Sequence, residues 1–234
     1  MTDLDVSEKK RALREQTMEK AGRLPESYTA MADRQICEAV IGTPEYQSAR
    51  TVFCFVGRDS EIDTRPILDD ALQSGKILCV PKCIARGVME ARRITGYDDL
   101  ALAKFGLLEP ASRCDIVLPR DIDFVVVPCV TCNLFCERLG FGGGYYDTYL
   151  SASGFFTCMI CRHELLFDEI PMEGHDVVPN MLITEKQTVN SHDAGLTGVP
   201  SSTSLPGDVM TASPSASPSE TSVNLSPSRP IRTG

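Results

Sequence analysis

Short apolar runs alternate along the chain with stretches in which apolar side chains recur at helical spacing. Residues 51–56 and 124–128 are nearly continuous in β-branched, aromatic and other apolar side chains, which predicts buried strands. Residues 7–21, 25–41 and 65–74 have the spacing that predicts helices. We therefore expect helices and strands to alternate through the first half of the chain.

Five further elements continue this alternation. The pattern predicts strands at residues 76–81, 88–94, 155–161 and 180–184, and a helix at residues 145–151. Nearly continuous apolar strands that alternate with helices imply a mostly parallel sheet covered by helices on both faces. The predicted fold class is therefore α/β, in a Rossmann-like three-layer arrangement.

Two loops that follow predicted strands are expected to carry the ligand site. In open α/β sheets, ligands bind beyond the carboxyl ends of the strands. Residues 57–64 follow the first predicted strand, and residues 129–147 follow the central one. We expect these loops to meet in one crevice.

The composition changes near residue 190. From Ser191 onward there is no aromatic residue, and Ser, Pro, Thr and Gly dominate. Such a segment cannot bury enough apolar surface to offset its chain entropy. We therefore expect residues 1–190 to form one folded domain and residues 191–234 to form a disordered Ser/Pro-rich tail.

The formal net charge of −9 limits the classes of partner. Nucleic acids and anionic membranes both require a basic face, so we expect neither as a partner. No stretch approaches the length of a membrane span, and the acidic N-terminus resembles neither a secretory signal nor a transit peptide. These features predict a cytoplasmic monomer whose ten cysteines are mostly reduced thiols.

Residues 138–147 carry the strongest indication of chemistry. They read Arg-Leu-Gly-Phe-Gly-Gly-Gly-Tyr-Tyr-Asp, which is neither a dinucleotide fingerprint nor a Walker loop. Glycines allow backbone N–H groups to surround a phosphate, and the guanidinium of Arg138 fits phosphate oxygens. Asp147 suits Mg²⁺, and the two tyrosines suit a planar ring. The alternative is a glycine-rich turn between two packed elements.

Four separated segments together resemble the 5-formyltetrahydrofolate cyclo-ligase family, also called methenyltetrahydrofolate synthetases. They are residues 10–14, 60–64, 138–147 and 175–185, and Gly-Leu-Leu-Glu-Pro at residues 106–110 resembles a further family motif. The resemblance covers residues 8–185. It implies an enzyme that uses ATP and Mg²⁺ to close 5-formyltetrahydrofolate to 5,10-methenyltetrahydrofolate. The formyl oxygen is phosphorylated, N10 attacks, and ADP and phosphate are released.

The resemblance also implies roles for individual residues. The catalytic residues are Lys10, Arg138 and Tyr145. The ATP-binding residues are Lys10, Arg11, Ala12, Leu13, Arg14, Arg138, Leu139, Gly140, Phe141, Gly142, Gly143, Gly144, Tyr145 and Tyr146. The folate-binding residues are Arg14, Val56, Glu61, Phe141, Gly142, Gly143, Gly144 and Tyr145. The metal ligands are Asp147 and Asn180, and Asp147 is expected to contribute little to the core because it opens a helix beside a glycine loop.

The chain departs from the family pattern before the glycine loop. Cysteines at 129, 132 and 136 replace two glycines and a phenylalanine, and Asn133 and Asn180 stand where relatives have carboxylates. These changes raise the alternative of a non-catalytic relative that holds folate or ATP without turnover. Retained Lys10, Glu61 and Arg138 argue for the enzyme.

The cysteine spacing raises a second alternative, a zinc site. Cys129-x-x-Cys132 and Cys158-x-x-Cys161 have the spacing of paired zinc ligands. However, residues three apart on a strand point to opposite faces, so Cys158 and Cys161 are not expected to bind one ion. The sequence favours buried, apolar roles for these cysteines.

Removal of the tail tests the domain boundary. We expect truncation after Asn190 to leave the fold and turnover intact, because the removed segment has no apolar residues at helix or strand spacing. Thermal unfolding of the full and truncated chains is the measurement. A drop of many degrees in Tm would show that the tail packs on the domain.

Overall fold

An eight-stranded sheet forms the centre of the fold in the computed structural model, which describes residues 5–58, 60–103, 106, 108–151 and 154–194. The helices are α1 (Val6–Gly22), α2 (Glu26–Gly42), α3 (Pro44–Ser48), α4 (Arg65–Gln73), α5 (Tyr145–Leu150) and α6 (Ser191–Ala194). The strands are β1 (Thr51–Phe53), β2 (Ile77–Ala85), β3 (Val88–Ile94), β4 (Leu100–Leu102), β5 (Leu108–Pro110), β6 (Ile116–Val117), β7 (Phe124–Val127), β8 (Thr131–Cys132), β9 (Arg138–Leu139), β10 (Phe156–Ile160), β11 (Met181–Ile183) and β12 (Thr188–Asn190).

The strand order of the large sheet is β12-β11-β10-β7-β1-β2-β3-β6. The five central strands, from β11 to β2, run parallel to their neighbours. Strands β12, β3 and β6 pair in the antiparallel direction at the two edges. The predicted mostly parallel sheet is therefore confirmed, and the antiparallel edges are an addition that the sequence pattern did not predict.

Helices cover both faces of the sheet, as predicted. On one face, α2, α3 and α4 place Ile36, Tyr46 and Ile67 in a core with Val52 and Phe124 of the sheet. On the other face, α5 and the β8–β9 hairpin pack against the alternate strand residues, among them Phe53 and Val125. Both strand faces are buried because each has its own layer, which explains why the central strands are continuous in apolar residues.

The predicted helices and strands exist, with most of their ends within two residues of those expected. The main differences are β1, which ends at Phe53 where the sequence predicted residue 56, and β2, which continues to Ala85 where the sequence predicted residue 81. Four short strand pairings were not predicted, namely the β4–β5 and β8–β9 hairpins and the edge strands β6 and β12. Each of these strands has only two or three residues, too few to show a period.

The predicted tail begins at the short helix α6. The backbone N–H of Ser191 donates to the carbonyl oxygen of Asn180 at 2.9 Å, which joins the start of α6 to the start of β11. Residues 195–234 lie outside the described part of the chain, so the disordered tail stays a prediction. Among the described helices, none is both long and apolar enough to cross a membrane.

Close backbone approach shapes the loop after β1. A Cβ atom at Gly57 would lie 1.9 Å from the carbonyl oxygen of Ile62. The hydroxyl of Thr64 accepts from the Gly57 N–H at 3.0 Å and donates to the Phe55 carbonyl at 2.7 Å. Only glycine at position 57 allows the loop to fold back in this way.

We expect Gly57→Ala to lower the free energy of unfolding by about 1–3 kcal/mol, because the added methyl group must displace backbone. Gly42→Ala is the matched control, since a Cβ atom there meets nothing within 4 Å. That control should change stability by no more than about 0.5 kcal/mol. Denaturant unfolding of both variants is the measurement, and equal effects would contradict the close approach.

Candidate active site

A cleft of about 690 Å³ opens near the carboxyl ends of the central strands. It lies where the sequence placed the crevice, because the loop after β1 and the glycine loop after β9 both line it. Helix α1 and residues 173–176 also contribute to the lining. A volume of this size is typical of sites for small molecules and cofactors.

The glycine loop has the backbone conformations that its sequence predicts. Gly142 and Gly144 have φ angles of 89° and 69°, values that residues with a Cβ rarely adopt. A Cβ atom at Gly143 would lie 2.7 Å from the Tyr145 ring. The loop therefore exposes backbone at the cleft, and Gly144 leads directly into α5.

Helix α1 brings two basic side chains to the cleft. Lys10 and Arg14 are four residues apart and so lie on one face of the helix. The Nε atom of Arg14 donates to the carbonyl oxygen of Gly140 at 2.8 Å, which ties α1 to the glycine loop. The intervening residues Arg11, Ala12 and Leu13 are not among the lining residues, so the structure does not bring these three expected ATP contacts to the cleft.

Lys10 is buried and paired with two carboxylates that the sequence analysis did not assign. Its Nζ atom lies 2.8 Å from Oε2 of Glu173 and 2.6 Å from Oδ2 of Asp176. Burial alone would lower the pKa of Lys10, but hydrogen bonds and charges from Asp176 and Glu173 raise that pKa above its ordinary value. Lys10 is therefore a cation at neutral pH.

The signal for Glu173 and Asp176 was weak in the sequence. Residues 175–185 formed part of the family resemblance, but only Asn180 was assigned from them. A carboxylate in a polar loop is usually solvated, so its presence alone does not indicate a site. The partner of Glu173 is Lys10, which lies 163 residues away along the chain, so no local pattern relates the two.

Arg138 and Asp147 form an ion pair at the two ends of the glycine loop. The Arg138 side chain is 3% exposed and that of Asp147 is 21% exposed, and Nη2 of Arg138 donates to Oδ1 of Asp147. The same Oδ1 accepts from the Val177 N–H at 3.3 Å. Asp147 belongs to neither hydrophobic core, but its carboxylate neutralises a buried guanidinium, a structural contact that the sequence did not predict.

Asn180 does not join Asp147 at the cleft. Its Oδ1 atom accepts from the N–H of Thr157 at 2.9 Å and from the Thr157 hydroxyl at 2.8 Å. Thr157 lies near the start of β10 and Asn180 just before β11, at the amino edge of the sheet. Asn180 is also absent from the residues that line the cleft, so the structure does not bring this expected metal ligand to Asp147.

Asn133 organises the turn between β8 and β9. Its Oδ1 atom accepts from the backbone N–H groups of Phe135 and Glu137 at 3.0 and 3.1 Å. Cys136 follows in this turn with a φ angle of 63°, at the position where the related family carries glycine. These departures from the family pattern therefore belong to a hairpin turn, and neither residue lines the cleft.

A second buried ion pair holds the loop that carries Glu61. Nε and Nη2 of Arg162 lie 2.6 and 2.8 Å from the two carboxylate oxygens of Asp33. The same guanidinium donates to the carbonyl oxygens of Ser60 at 2.7 Å and Glu61 at 2.9 Å. The sequence analysis did not assign Arg162 or Asp33, since no local pattern relates residues 129 apart.

Glu61 and Val56 both line the cleft, as expected for folate contacts. Oε2 of Glu61 accepts from the Arg58 N–H at 3.3 Å, so the carboxylate already has a neighbouring donor. Arg162 holds the backbone of this loop through its hydrogen bond to the Glu61 carbonyl oxygen, and the close approach of Gly57 to Ile62 brings the two ends of the loop together.

Aromatic side chains complete the cleft. Phe141, Tyr145 and Tyr146 all line it, and Phe141 remains 48% exposed. The Tyr146 ring stacks on Phe53 of the core with ring centroids 6.4 Å apart. Burial raises the pKa of Tyr146 well above its usual value, so this hydroxyl remains protonated.

The sequence model of the 5-formyltetrahydrofolate cyclo-ligase family matches residues 6–185. A probable 5-formyltetrahydrofolate cyclo-ligase of Schizosaccharomyces pombe is 28% identical over 203 residues, covering 80% of this chain and 100% of the relative. The 5-formyltetrahydrofolate cyclo-ligase of Mycolicibacterium smegmatis is 32% identical over 152 residues, covering 61% of this chain and 77% of the relative.

Solved structures of methenyltetrahydrofolate synthetases share the fold. The NMR structure of Aquifex aeolicus 5,10-methenyltetrahydrofolate synthetase matches with a TM-score of 0.70 and 27% identity, over 79% of this chain and 93% of the other. A 5,10-methenyltetrahydrofolate synthetase from Mycoplasma pneumoniae matches with a TM-score of 0.62 and 21% identity, over 75% of this chain and 98% of the other. At that identity the second likeness concerns the fold alone.

Substitution of Asp147 tests the buried ion pair. We expect Asp147→Asn to lower the free energy of unfolding, because it leaves the Arg138 charge buried without a counter-charge; such losses are about 3–5 kcal/mol for fully buried pairs. Because the Asp147 side chain is partly exposed, we expect a loss of unfolding free energy near the lower end of that range, about 3 kcal/mol. Glu38→Gln, which removes one partner of the exposed pair Arg34–Glu38, is the control and should change stability by less than about 1 kcal/mol. Equal losses in chemical denaturation would contradict the role of the pair.

Proposed function

The chain belongs to the 5-formyltetrahydrofolate cyclo-ligase family, and on that premise we propose that it closes 5-formyltetrahydrofolate to 5,10-methenyltetrahydrofolate with ATP and Mg²⁺. ADP and phosphate are the expected co-products. The observation that carries the proposal is the convergence of Lys10, Arg14, Glu61 and the 138–147 glycine loop on one cleft. These elements come from distant parts of the chain and combine cations, exposed backbone, a carboxylate acceptor and aromatic rings.

Arg138 and the glycine loop fit a polyphosphate. The Nε atom of Arg138 is buried and has no hydrogen-bond partner within the described part of the chain. A buried donor without an acceptor is costly, and a phosphate oxygen would satisfy it. Gly142 and Gly144 leave backbone at the cleft where a side chain would otherwise stand. Lys10 adds a cation that its carboxylate neighbours keep protonated.

Asp147 fits one contact to Mg²⁺. Both hydrogen bonds that the structure records for its carboxylate are made by Oδ1, which leaves Oδ2 for a cation. Mg²⁺ is usually held by one or two carboxylates together with waters and substrate phosphates. Asp176 and Glu173 line the same cleft and add negative charge to it. We therefore propose that the metal arrives with ATP and is held mainly through the nucleotide.

Glu61 and the aromatic residues fit the folate. The carboxylate of Glu61 is an acceptor that suits the hydrogen-bond donor edge of a pterin ring. Phe141 and Tyr145 offer apolar ring surface in the same cleft, and Val56 adds an aliphatic contact. Arg162 holds the backbone of Glu61, so its carboxylate is presented from a fixed loop.

The residues of this cleft suit phosphoryl transfer better than acid–base catalysis. An amide-like formyl oxygen is a poor leaving group, and ATP supplies the phosphoryl group that makes it a good one. The protein must then bind both partners in contact, neutralise phosphate charge and hold the folate in place. Lys10, Arg138 and the glycine-loop backbone neutralise charge, and Glu61, Phe141 and Tyr145 orient the ring. Tyr146 remains protonated and packs on the core.

The non-catalytic alternative loses its main motivation. It rested on Asn133 and Asn180, which replace carboxylates of the family. Asn133 caps a hairpin turn and Asn180 bonds Thr157 at the amino edge of the sheet, so neither side chain stands in the cleft.

All ten cysteines are free thiols, which fits the cytoplasmic location that we propose. The monomeric state stays a prediction.

A turnover assay tests the proposal directly. Purified full-length protein is mixed with 5-formyltetrahydrofolate, ATP and Mg²⁺, and the absorbance of the methenyl product is followed. We expect product only when all three are present, with ADP and phosphate formed in equal amounts. Folded protein that gives no product above background would overturn the proposal, and binding of either ligand without turnover would favour the non-catalytic alternative.

Single substitutions test the division of the cleft between ATP and folate. We expect Lys10→Ala and Arg138→Ala mainly to weaken ATP use, and Glu61→Ala mainly to weaken folate use. Each lost charge-assisted contact costs about 1.5–3 kcal/mol, roughly a tenfold to hundredfold loss in kcat/KM. Arg34→Ala, which removes an exposed cation from α2, is the control and should leave both constants unchanged. Unchanged folate KM and kcat in Glu61→Ala would contradict the role of Glu61.

A further inference from the structure

Three cysteines meet beside the active-site cleft. The sulfur atoms of Cys129, Cys132 and Cys161 all lie within 4.8 Å of one another. Cys132 and Cys161 are buried, and Cys129 is half-buried. None of them has a role in the proposed cyclisation, so the cluster requires a separate explanation.

The topology of the sheet creates this cluster. Cys129 follows the carboxyl end of β7, and Cys161 follows the carboxyl end of β10, the parallel neighbour of β7. Cys132 lies in β8, the first strand of the hairpin that packs over this edge. The sequence paired Cys161 with Cys158, but Cys158 lies in the core on the opposite face of the sheet, as the strand argument predicted. Cys161 instead joins the first Cys-x-x-Cys pair.

We propose that Cys129, Cys132 and Cys161 form a binding site for one thiophilic metal ion, for which Zn²⁺ is the natural probe. Zinc–sulfur bonds are about 2.3 Å long, so three thiolates around one ion lie about 4 Å apart. The present sulfur separations are all within 4.8 Å, so any adjustment needed to reach that value is within about 1 Å, which small side-chain rotations can supply. Binding converts three thiols to thiolates and releases their protons.

A small cavity next to the cluster offers room for a fourth ligand. It has a volume of about 40 Å³ and is lined by Cys129 and Cys161 together with Glu61, Phe141 and Arg162. That volume is enough for one water molecule, which would complete a tetrahedral set of three sulfurs and one oxygen.

The ion would join two elements that position the cleft. Cys132 belongs to the β8–β9 hairpin, whose second strand begins with Arg138, and Cys161 directly precedes Arg162. A shared ion would therefore fasten the strand that carries Arg138 to the end of β10. The assigned role is structural, and it does not depend on whether the cleft performs the proposed cyclisation.

Metal stoichiometry is the first test. The full-length protein is reduced, stripped with a chelator and loaded with Zn²⁺ alone; loose ions are removed, and bound zinc is measured by elemental mass spectrometry. We expect one ion per chain in the unmodified protein and in Cys158→Ala, whose cysteine lies on the same strand but on the opposite face. Cys129→Ala, Cys132→Ala and Cys161→Ala should each lose the ion. A protein that takes up no zinc, or equal loss in Cys158→Ala, would overturn the site.

Alkylation of the unmodified protein keeps the test independent of variant folding. Zn²⁺ should protect Cys129 from a thiol reagent while Cys83, which is exposed, remains reactive with and without the ion. Modified peptides identified by mass spectrometry report both residues in one sample. Equal labelling of Cys129 with and without Zn²⁺ would overturn the proposal, as would a Cys129–Cys132 disulfide that persists after reduction and prevents zinc uptake.

Discussion

The buried ion pair between Arg162 and Asp33 is the interaction on which the cleft most depends. Arg162 lies two residues beyond the end of β10. Its guanidinium bonds the carboxylate of Asp33 in α2 and donates to two carbonyl oxygens of the loop after β1. Asp33 also accepts from the N–H of Asp63 at 2.9 Å, so both partners hold the same loop. A buried charge persists only when its hydrogen-bonding groups are satisfied, and this guanidinium is satisfied by two separate segments, α2 and the loop after β1. The loop that presents Glu61 is fixed as a consequence.

The two buried cations of the cleft, Lys10 and Arg138, are each paired with carboxylates. Lys10 pairs with Glu173 and Asp176, and Arg138 pairs with Asp147. These pairs hold the two cations in place in a chain whose net charge is negative. A polyphosphate bound to its metal carries both negative and positive charge. Its phosphates can therefore contact the cations of these pairs while its metal contacts the carboxylates, so neither partner is left buried without a counter-charge. Pairing before binding therefore reduces the rearrangement that binding requires.

The departures from the family pattern lie around the cleft, outside its lining. Asn133 and Cys136 shape the turn of the β8–β9 hairpin, and Asn180 joins the starts of β10 and β11. Cys129 and Cys132 combine with Cys161 in a cluster that no local pattern of the sequence describes. The side chains that we propose to contact substrates thus match the family pattern, while the departures fall in the elements that support them. This separation explains how such a chain can keep the proposed activity with a different supporting shell.

Local patterns in the sequence determined the helices and the central strands, because burial on one helix face or on both strand faces repeats at a fixed period. They also located the glycine loop with Arg138 and Asp147, since its residues are adjacent and its backbone requires glycine. Tertiary structure alone decided the pairing of Lys10 with Asp176, the support of Glu61 by Arg162 and the exclusion of Asn180 from the cleft. It also brought Cys161 to Cys129 and Cys132. These contacts join residues far apart in the chain, and their geometry follows from the order and direction of the strands, which no local period records.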